Sequence, residues 1–302
     1  MRKEFSDSIE KIALEDSSVI FITGDLGYKA FENLQQVLKD RFINAGVAEQ
    51  GMVGMAAGLA SQGYKVFCYS IAPFIVYRCL EQYRNDVCLH KLPVFLVGNG
   101  GGYGYGIMGS THHAIEDIAC MSSMPNSKCW TPAFNNEVEV TLRKIIAEAK
   151  PAYLRLNNST SSPSEFSQSH CINSVIKSEH ARGTIVTAGS IINNVLQSLA
   201  DQTLSGHFDL FSVSYFPLKL SDEFIASVRG TKKLIVLEEH VFAGGLAQQL
   251  SAQLMRDGVK VDEFVSLHAQ GYPDALYGDQ NYHHIQSGID SAAILKNLVK
   301  ML

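Results

Sequence analysis

Residues 50–69 read QGMVGMAAGLASQGYKVFCY. The first part is rich in small residues, helix-like, and closed by Gly63. The second part, from Tyr64, is a short apolar run that fits a buried strand. A helix feeding straight into such a strand is half of a βα repeat, and the unit recurs in both directions. Towards the N-terminus, residues 18–23 (SVIFIT) form a continuous apolar run ending in GDLG, as expected of a parallel strand covered on both faces. Towards the C-terminus, 77–89 reads as an amphipathic helix and 92–98 (LPVFLVG) as another buried strand. A glycine-rich loop then runs to Gly109, and a helix is expected from about His113 to Met121. Residues 136–148 have helical spacing, and 152–156 (AYLRL) read as a strand.

The stretch 157–170, NNSTSSPSEFSQSH, has the composition of a linker. After it the rhythm restarts. TIVT at 184–187 leads to AGS and a helix, 208–214 and 234–237 are further strands, and EEHVFAGG at 238–245 leads into another helix. Strands alternating with helices predict an α/β fold of two three-layer domains with mostly parallel sheets. The expected division is a first domain over 1–160, a linker over 161–178 and a second domain over 179–302.

Composition agrees with two cores. The 302 residues are 46% hydrophobic and 18% charged. A net charge of -5 argues against a nucleic-acid-binding surface, which is normally basic. The sequence holds no apolar run of about 18 residues, so no membrane span is expected. MRKEFSDSIEKIALED at 1–16 lacks the apolar stretch of a secretory signal. Six cysteines, at 68, 79, 88, 120, 129 and 171, form no C-x-x-C pair and mostly lie in apolar runs. A cytoplasmic protein without disulfides is the expectation.

Three segments bear chemistry. In NAGVAEQGM at 44–52, Glu49 lies at a strand-to-helix junction. Helix starts favour acids, so a first-turn helix acid is one reading. The other is a carboxyl in an apolar setting, able to share a proton with a ring nitrogen. In GNGGGYGYGIMGSTHHAIE at 98–116, Gly104, Gly106 and Gly109 spell G-x-G-x-x-G. A dinucleotide site needs those glycines tightly between strand and helix, and here the strand ends near Gly98. The alternative is a flexible active-site loop delivering Thr-His-His. His112 and His113 are adjacent and no acid or thiol ligand set accompanies them, so no metal is expected; one surface and one site histidine is the preferred split. In YSIAPFIVYRCLEQYRN at 69–85, the aromatics are helix-packing residues by default, and Phe74 or Tyr77 is the candidate to stack on a flat heterocycle.

GDLG, GVAEQGMVGMAAGLA, YS…EQYRNDV, LPV, GSTHHAIEDIA and MPN occur in the order seen in transketolases and deoxyxylulose-phosphate synthases. EEH-x-x-x-GG and GYPD resemble the C-terminal domains of that superfamily. The resemblance spans essentially the whole chain. It implies a pyrimidine-binding domain followed by the transketolase C-terminal domain, with thiamine diphosphate as cofactor. By resemblance, Glu49 hydrogen-bonds N1′ of the aminopyrimidine and promotes loss of the thiazolium C2 proton. His112 would contact substrate oxygens or move a proton. Asp25 and Leu26 lie near the aminopyrimidine, and Phe74 is preferred as the stacking aromatic, with Tyr77 beside it.

Departures from the pattern carry equal weight. Complete members bind diphosphate and Mg²⁺ through a GDG-containing motif followed by Asn, which this sequence lacks. The resemblance therefore implies a partner chain of the N-terminal type that holds most of the Mg²⁺ site, in an α2β2 heterotetramer. Met108 stands where an acceptor-contacting Asp is usual, and Asn158 stands near the place of a phosphate-gripping Arg, with Arg155 close by. Glycine or Asn99 replaces the histidine expected after LPV. Met108, Asn99, His112 and His113 are the candidate substrate contacts. An acceptor other than an ordinary sugar phosphate is expected, such as a nucleotide-linked sugar or an unphosphorylated carbonyl compound. The leading function is two-carbon ketol transfer from a ketose donor. Alternatives are a decarboxylating relative (deoxyxylulose-phosphate-synthase-like or a 2-oxo-acid dehydrogenase β subunit), a nucleotide-binding oxidoreductase using Gly104–Gly109, and a non-catalytic regulatory subunit.

Overall fold

The structure, a computed structural model, describes residues 1–27, 30–163, 166–272 and 277–302. Its strands are β1 (Val19–Thr23), β2 (Phe42–Asn44), β3 (Lys65–Ile71), β4 (Val94–Asn99), β5 (Lys128–Trp130), β6 (Ala152–Leu156), β7 (Ile172–Ile176), β8 (Gly183–Ala188), β9 (Phe208–Val213), β10 (Tyr215–Phe216), β11 (Lys233–Glu238) and β12 (Glu263–His268). They form a 7-stranded sheet in the order β10-β5-β6-β4-β3-β1-β2 and a 5-stranded sheet in the order β12-β11-β8-β9-β7. All pairings among these strands are parallel except β10 on β5 and β7 on β9. The apolar runs became the long central strands because a parallel strand buries both faces, and β1, β4 and β6 are buried nearly throughout.

Alternation along the strands divides the first core into two layers. Ile20, Ile22, Cys68 and Leu96 face the helix Glu49–Ser61, whereas Val19, Phe21, Phe67, Phe95 and Val97 face the helix Arg2–Glu15. The helix Glu49–Ser61 buries Glu49, Met52, Val53, Ala56, Ala57 and Ala60, one stripe at helical spacing. The first of these layers continues without a break into Val186, Phe211, Phe216 and Leu246 of the second unit. The two sheets thus share apolar contacts, and β10, which follows β9 in the chain, crosses over to join the first sheet on β5.

Several boundaries differ from the sequence reading. The helix expected over 77–89 begins earlier, as Ala72–Tyr77, and ends in a π-helical segment, Tyr83–Cys88. The helix expected from His113 is only Asp117–Ser122, because Ala114 is drawn into a two-way backbone pairing with Gly102. The stretch 161–178 contains β7, which completes the second sheet. Among the described residues no helix is long and apolar enough to cross a membrane, and all six cysteines are free thiols.

Candidate active site

The strand order of the first sheet reverses between β1 and β3, and parallel sheets open a crevice at the carboxyl ends of such a pair. Gly24 follows β1, Ser70 lies near the end of β3, and Glu49 starts the helix after β2. The three converge. Glu49 is only 3% exposed, and its Oε1 accepts a hydrogen bond from Ser70 Oγ at 3.1 Å. Its Oε2 accepts one from Arg78 Nη1 at 3.0 Å. A Cβ on Gly24 would lie 3.9 Å from Glu49 Oε1 and 3.8 Å from Ser70 Oγ, so the bare glycine keeps the crevice floor open.

Phe74 comes from the helix Ala72–Tyr77, directly after β3. The Arg78 guanidinium lies 3.9 Å from the centroid of its ring, a cation–π contact. His112 meets Phe74 edge-on, with ring centroids 5.0 Å apart. Glu49, Arg78, Phe74 and His112 therefore form one contiguous line from floor to rim. Tyr77 points elsewhere: its hydroxyl donates to Glu116 Oε2 at 2.9 Å and accepts from the Glu116 N–H.

The two histidines separate clearly. His112 ends a tight turn, Ser110–His112, and is half-buried. His113 is buried between the rings of Tyr103, His283 and Tyr272, and burial, helped by the His283 charge, lowers its pKa. Of the pair, only His112 borders the crevice.

The glycines of the loop over 100–109 make room for buried side chains. Gly102 has a φ of +63°, and a Cβ there would collide with the Glu239 carboxylate. A Cβ on Gly101 would come within 2.6 Å of the Arg155 side chain. These positions are bare to admit buried side chains rather than a phosphate. Arg155 Nε donates to Asp117 Oδ2 at 2.8 Å, and its Nη2 donates to the carbonyls of Ala114 and Glu239, each at 3.0 Å. Tyr153 also donates to Asp117 Oδ2, at 2.7 Å. Both ends of this ion pair are buried.

The other expected site residues spread around this centre. Asp25 exchanges hydrogen bonds with Asn44, at 3.1 Å through its N–H and 2.9 Å through its carboxylate. With Leu26 it lines a neighbouring pocket of about 260 Å³ that also includes Phe31, Phe42 and Asn44. Asn99 donates to the Tyr105 hydroxyl at 2.6 Å. Asn99 and Tyr105 share a second pocket, also about 260 Å³, with Arg2, Asn157 and Asn158. Met108 is 53% exposed at the loop tip. Pro273 and Asp274 of the GYPD element lie outside the described residues. Ser70 and Arg78, the two partners of Glu49, were missed by sequence reasoning. Both lie inside the 69–85 segment, where only the aromatics were weighed. No cluster of metal-ligating side chains occurs among the described residues.

Two coupled parallel α/β units, with a buried carboxylate at the first crevice, define a chain of the transketolase type. The family profile described as "Transketolase, pyrimidine binding domain" matches residues 1–162, and the chain belongs to the transketolase family. It is 27% identical to one subunit of the apulose-4-phosphate transketolase of Phocaeicola vulgatus, covering 100% of this chain and 97% of that one. It is 30% identical to 1-deoxy-D-xylulose-5-phosphate synthase 1 of Geobacter metallireducens over 96% of this chain, which spans only 47% of the synthase. In fold it is similar to a split-gene transketolase solved as an inactive β4 tetramer, with a TM-score of 0.83, 24% identity, and coverage of 100% and 97%. The transketolase of Leishmania mexicana aligns with a TM-score of 0.81 and 17% identity, over 99% of this chain and 45% of that chain.

Proposed function

We propose that this chain is the pyrimidine-side subunit of a split transketolase-like enzyme, moving a two-carbon ketol unit from a ketose donor to a carbonyl acceptor. The observation that carries this reading is the buried Glu49 carboxylate at the crevice between β1 and β3. A partner chain holds the diphosphate and Mg²⁺, in an α2β2 assembly acting in the cytoplasm.

The crevice suits thiamine diphosphate. Glu49 offers a carboxylate oxygen to a ring nitrogen, Phe74 offers an aromatic face, and Gly24 leaves the floor bare. Arg78 is 44% exposed, so its guanidinium has room to move towards solvent when a ring nitrogen takes its place at Oε2. When bound, the cofactor supplies the carbon nucleophile that carries the two-carbon unit. Glu49 holds a proton at the ring nitrogen, while Ser70 fixes its other oxygen. His112, across Phe74, hydrogen-bonds a substrate oxygen or moves its proton. Asp25 and Leu26, next to Gly24, border the same floor. Asn99 and Met108 contact the acceptor, and His113 supports the rim from behind.

The acceptor is a carbonyl compound other than an ordinary pentose or tetrose phosphate. Support comes from the pocket at the ends of β4 and β6. There Asn99, Asn158 and Tyr105 line the cavity with amides and a phenol, Arg2 brings a single guanidinium, and the Asn157 amide behind them is committed to Gly101 and Glu239. That set favours hydroxyl recognition over a bidentate phosphate grip. One relative is named for apulose 4-phosphate, so this compound belongs in the substrate panel.

The test is co-purification with a partner carrying the GDG…N segment, followed by transfer assays with and without thiamine diphosphate and Mg²⁺. Turnover is expected only in the complete system, and Glu49→Gln should lower it about 10²-fold or more with assembly intact. Unchanged turnover in that variant contradicts the reading. Pyruvate consumption with CO₂ release in place of transfer would assign the decarboxylating alternative. Ribose 5-phosphate turnover equal to that of the best acceptor would overturn the acceptor assignment.

A further inference from the structure

The segment Glu238-Glu239-His240 ends β11 of the second unit, and each of its residues has a separate task. Glu238 accepts the N–H groups of Leu246 and Ala247 and so caps its own helix, Leu246–Arg256. His240 Nε2 accepts the Ala119 N–H from the first unit, at 3.2 Å. Glu239 gathers the most partners. Its Oε1 accepts from the Tyr103 N–H at 3.0 Å, from Gln280 Nε2 at 2.9 Å and from His284 Nε2 at 2.8 Å. Its Oε2 accepts from Asn157 Nδ2 at 3.2 Å, and Asn157 also donates to the Gly101 carbonyl at 2.8 Å.

Tyr103 and Gly101 belong to the loop that ends in Met108 and His112. Its return limb is held at Ala114 by Gly102 and at His113 by the Tyr103 and His283 rings. Both feet of the loop are therefore fastened to groups that Glu239 organises, and His112 on its return limb meets Phe74.

We propose that Glu239 is a positioning residue of the active site: its one buried carboxylate ties the Tyr103 main chain, Asn157 and the helix Gln280–Ser287 together, and so sets where His112 stands against Phe74 at the Glu49 crevice. The second unit thereby shapes the substrate site without touching the substrate. This rests on the reading of Glu49 as the cofactor's carboxylate.

Glu239→Gln keeps the size and loses the charge that holds four donors. Full-length variant and parent are compared by amide hydrogen exchange and, after reconstitution with the partner chain, by kinetics and thiamine diphosphate titration. The expected result is faster exchange confined to 101–113 and kcat lowered roughly 10-fold or more, with cofactor affinity unchanged. If the variant fails to fold, His284→Leu removes one donor from the same carboxylate and should loosen the same amides. Parental exchange rates over 101–113 in a folded variant overturn the proposal. Glu49→Gln run alongside separates the two readings: retained turnover there removes the cofactor assignment, while the exchange pattern still decides the role of Glu239.

Discussion

The two sheets reverse strand order in the same way, between β1 and β3 in the first and between β8 and β11 in the second, yet their crevices have opposite fates. The first is floored by bare Gly24 and presents Glu49. In the second, the Glu238 carboxyl occupies the start of the helix Leu246–Arg256, the place where such folds commonly receive an anion. Burial pushes its pKa up to about 8 despite two N–H donors. The remaining space takes Arg155 from the first unit, whose Nη1 would lie 3.6 Å from a Cβ on Gly189. One architecture thus leaves a crevice with a buried carboxylate or closes as a joint, and a few side chains at the carboxyl edge decide which.

The joint is broken most severely at Arg155. Arg155→Met leaves Asp117 buried and uncompensated, and a loss of about 3–5 kcal/mol is expected in denaturant unfolding. Replacing both partners with apolar residues should cost less, since neither charge is then stranded. A single-variant loss below about 1 kcal/mol would mean that the second crevice is not a working joint.

A smaller effect tests the Glu239–His284 pair. Burial opposes the charged form of both groups, but their mutual attraction outweighs it, lowering the Glu239 pKa and raising that of His284. The lowered acid contributes stability above its unfolded pKa and loses it as pH falls. The raised imidazole contributes fully below its unfolded pKa, near 6.5, and loses this as pH rises through its folded value. The pair is therefore strongest in mildly acidic solution and weakens towards alkaline pH. The Tm difference between parent and His284→Gln should shrink as pH rises from about 6 to about 9. A difference constant over that range removes the ion pair from the joint.

The contrast between the crevices also explains what the sequence made legible. Long buried strands such as β1, β4, β6 and β11 announce themselves as apolar runs, and the order of motifs points to Glu49 and His112, whereas Phe74 is a choice among the aromatics of 69–85. The short strands β2, β5 and β10 are two or three residues long and give no pattern to read. The packing of the loop over 100–109 was not legible, because its partners Arg155 and Glu239 arrive from distant parts of the chain. Arg78 was overlooked because a cation on an apolar helix reads as a solvated charge. Its contact with Glu49 depends on where β3 ends, which spacing alone does not fix.

The central claim is that Glu49 activates the cofactor. Its most direct measurement is the deuterium exchange rate of the thiazolium C2 proton, followed by quench and NMR in the reconstituted pair. Fast exchange with the parental chain and exchange slowed about 10²-fold or more with Glu49→Gln is the predicted result. Equal rates for the two chains would contradict it.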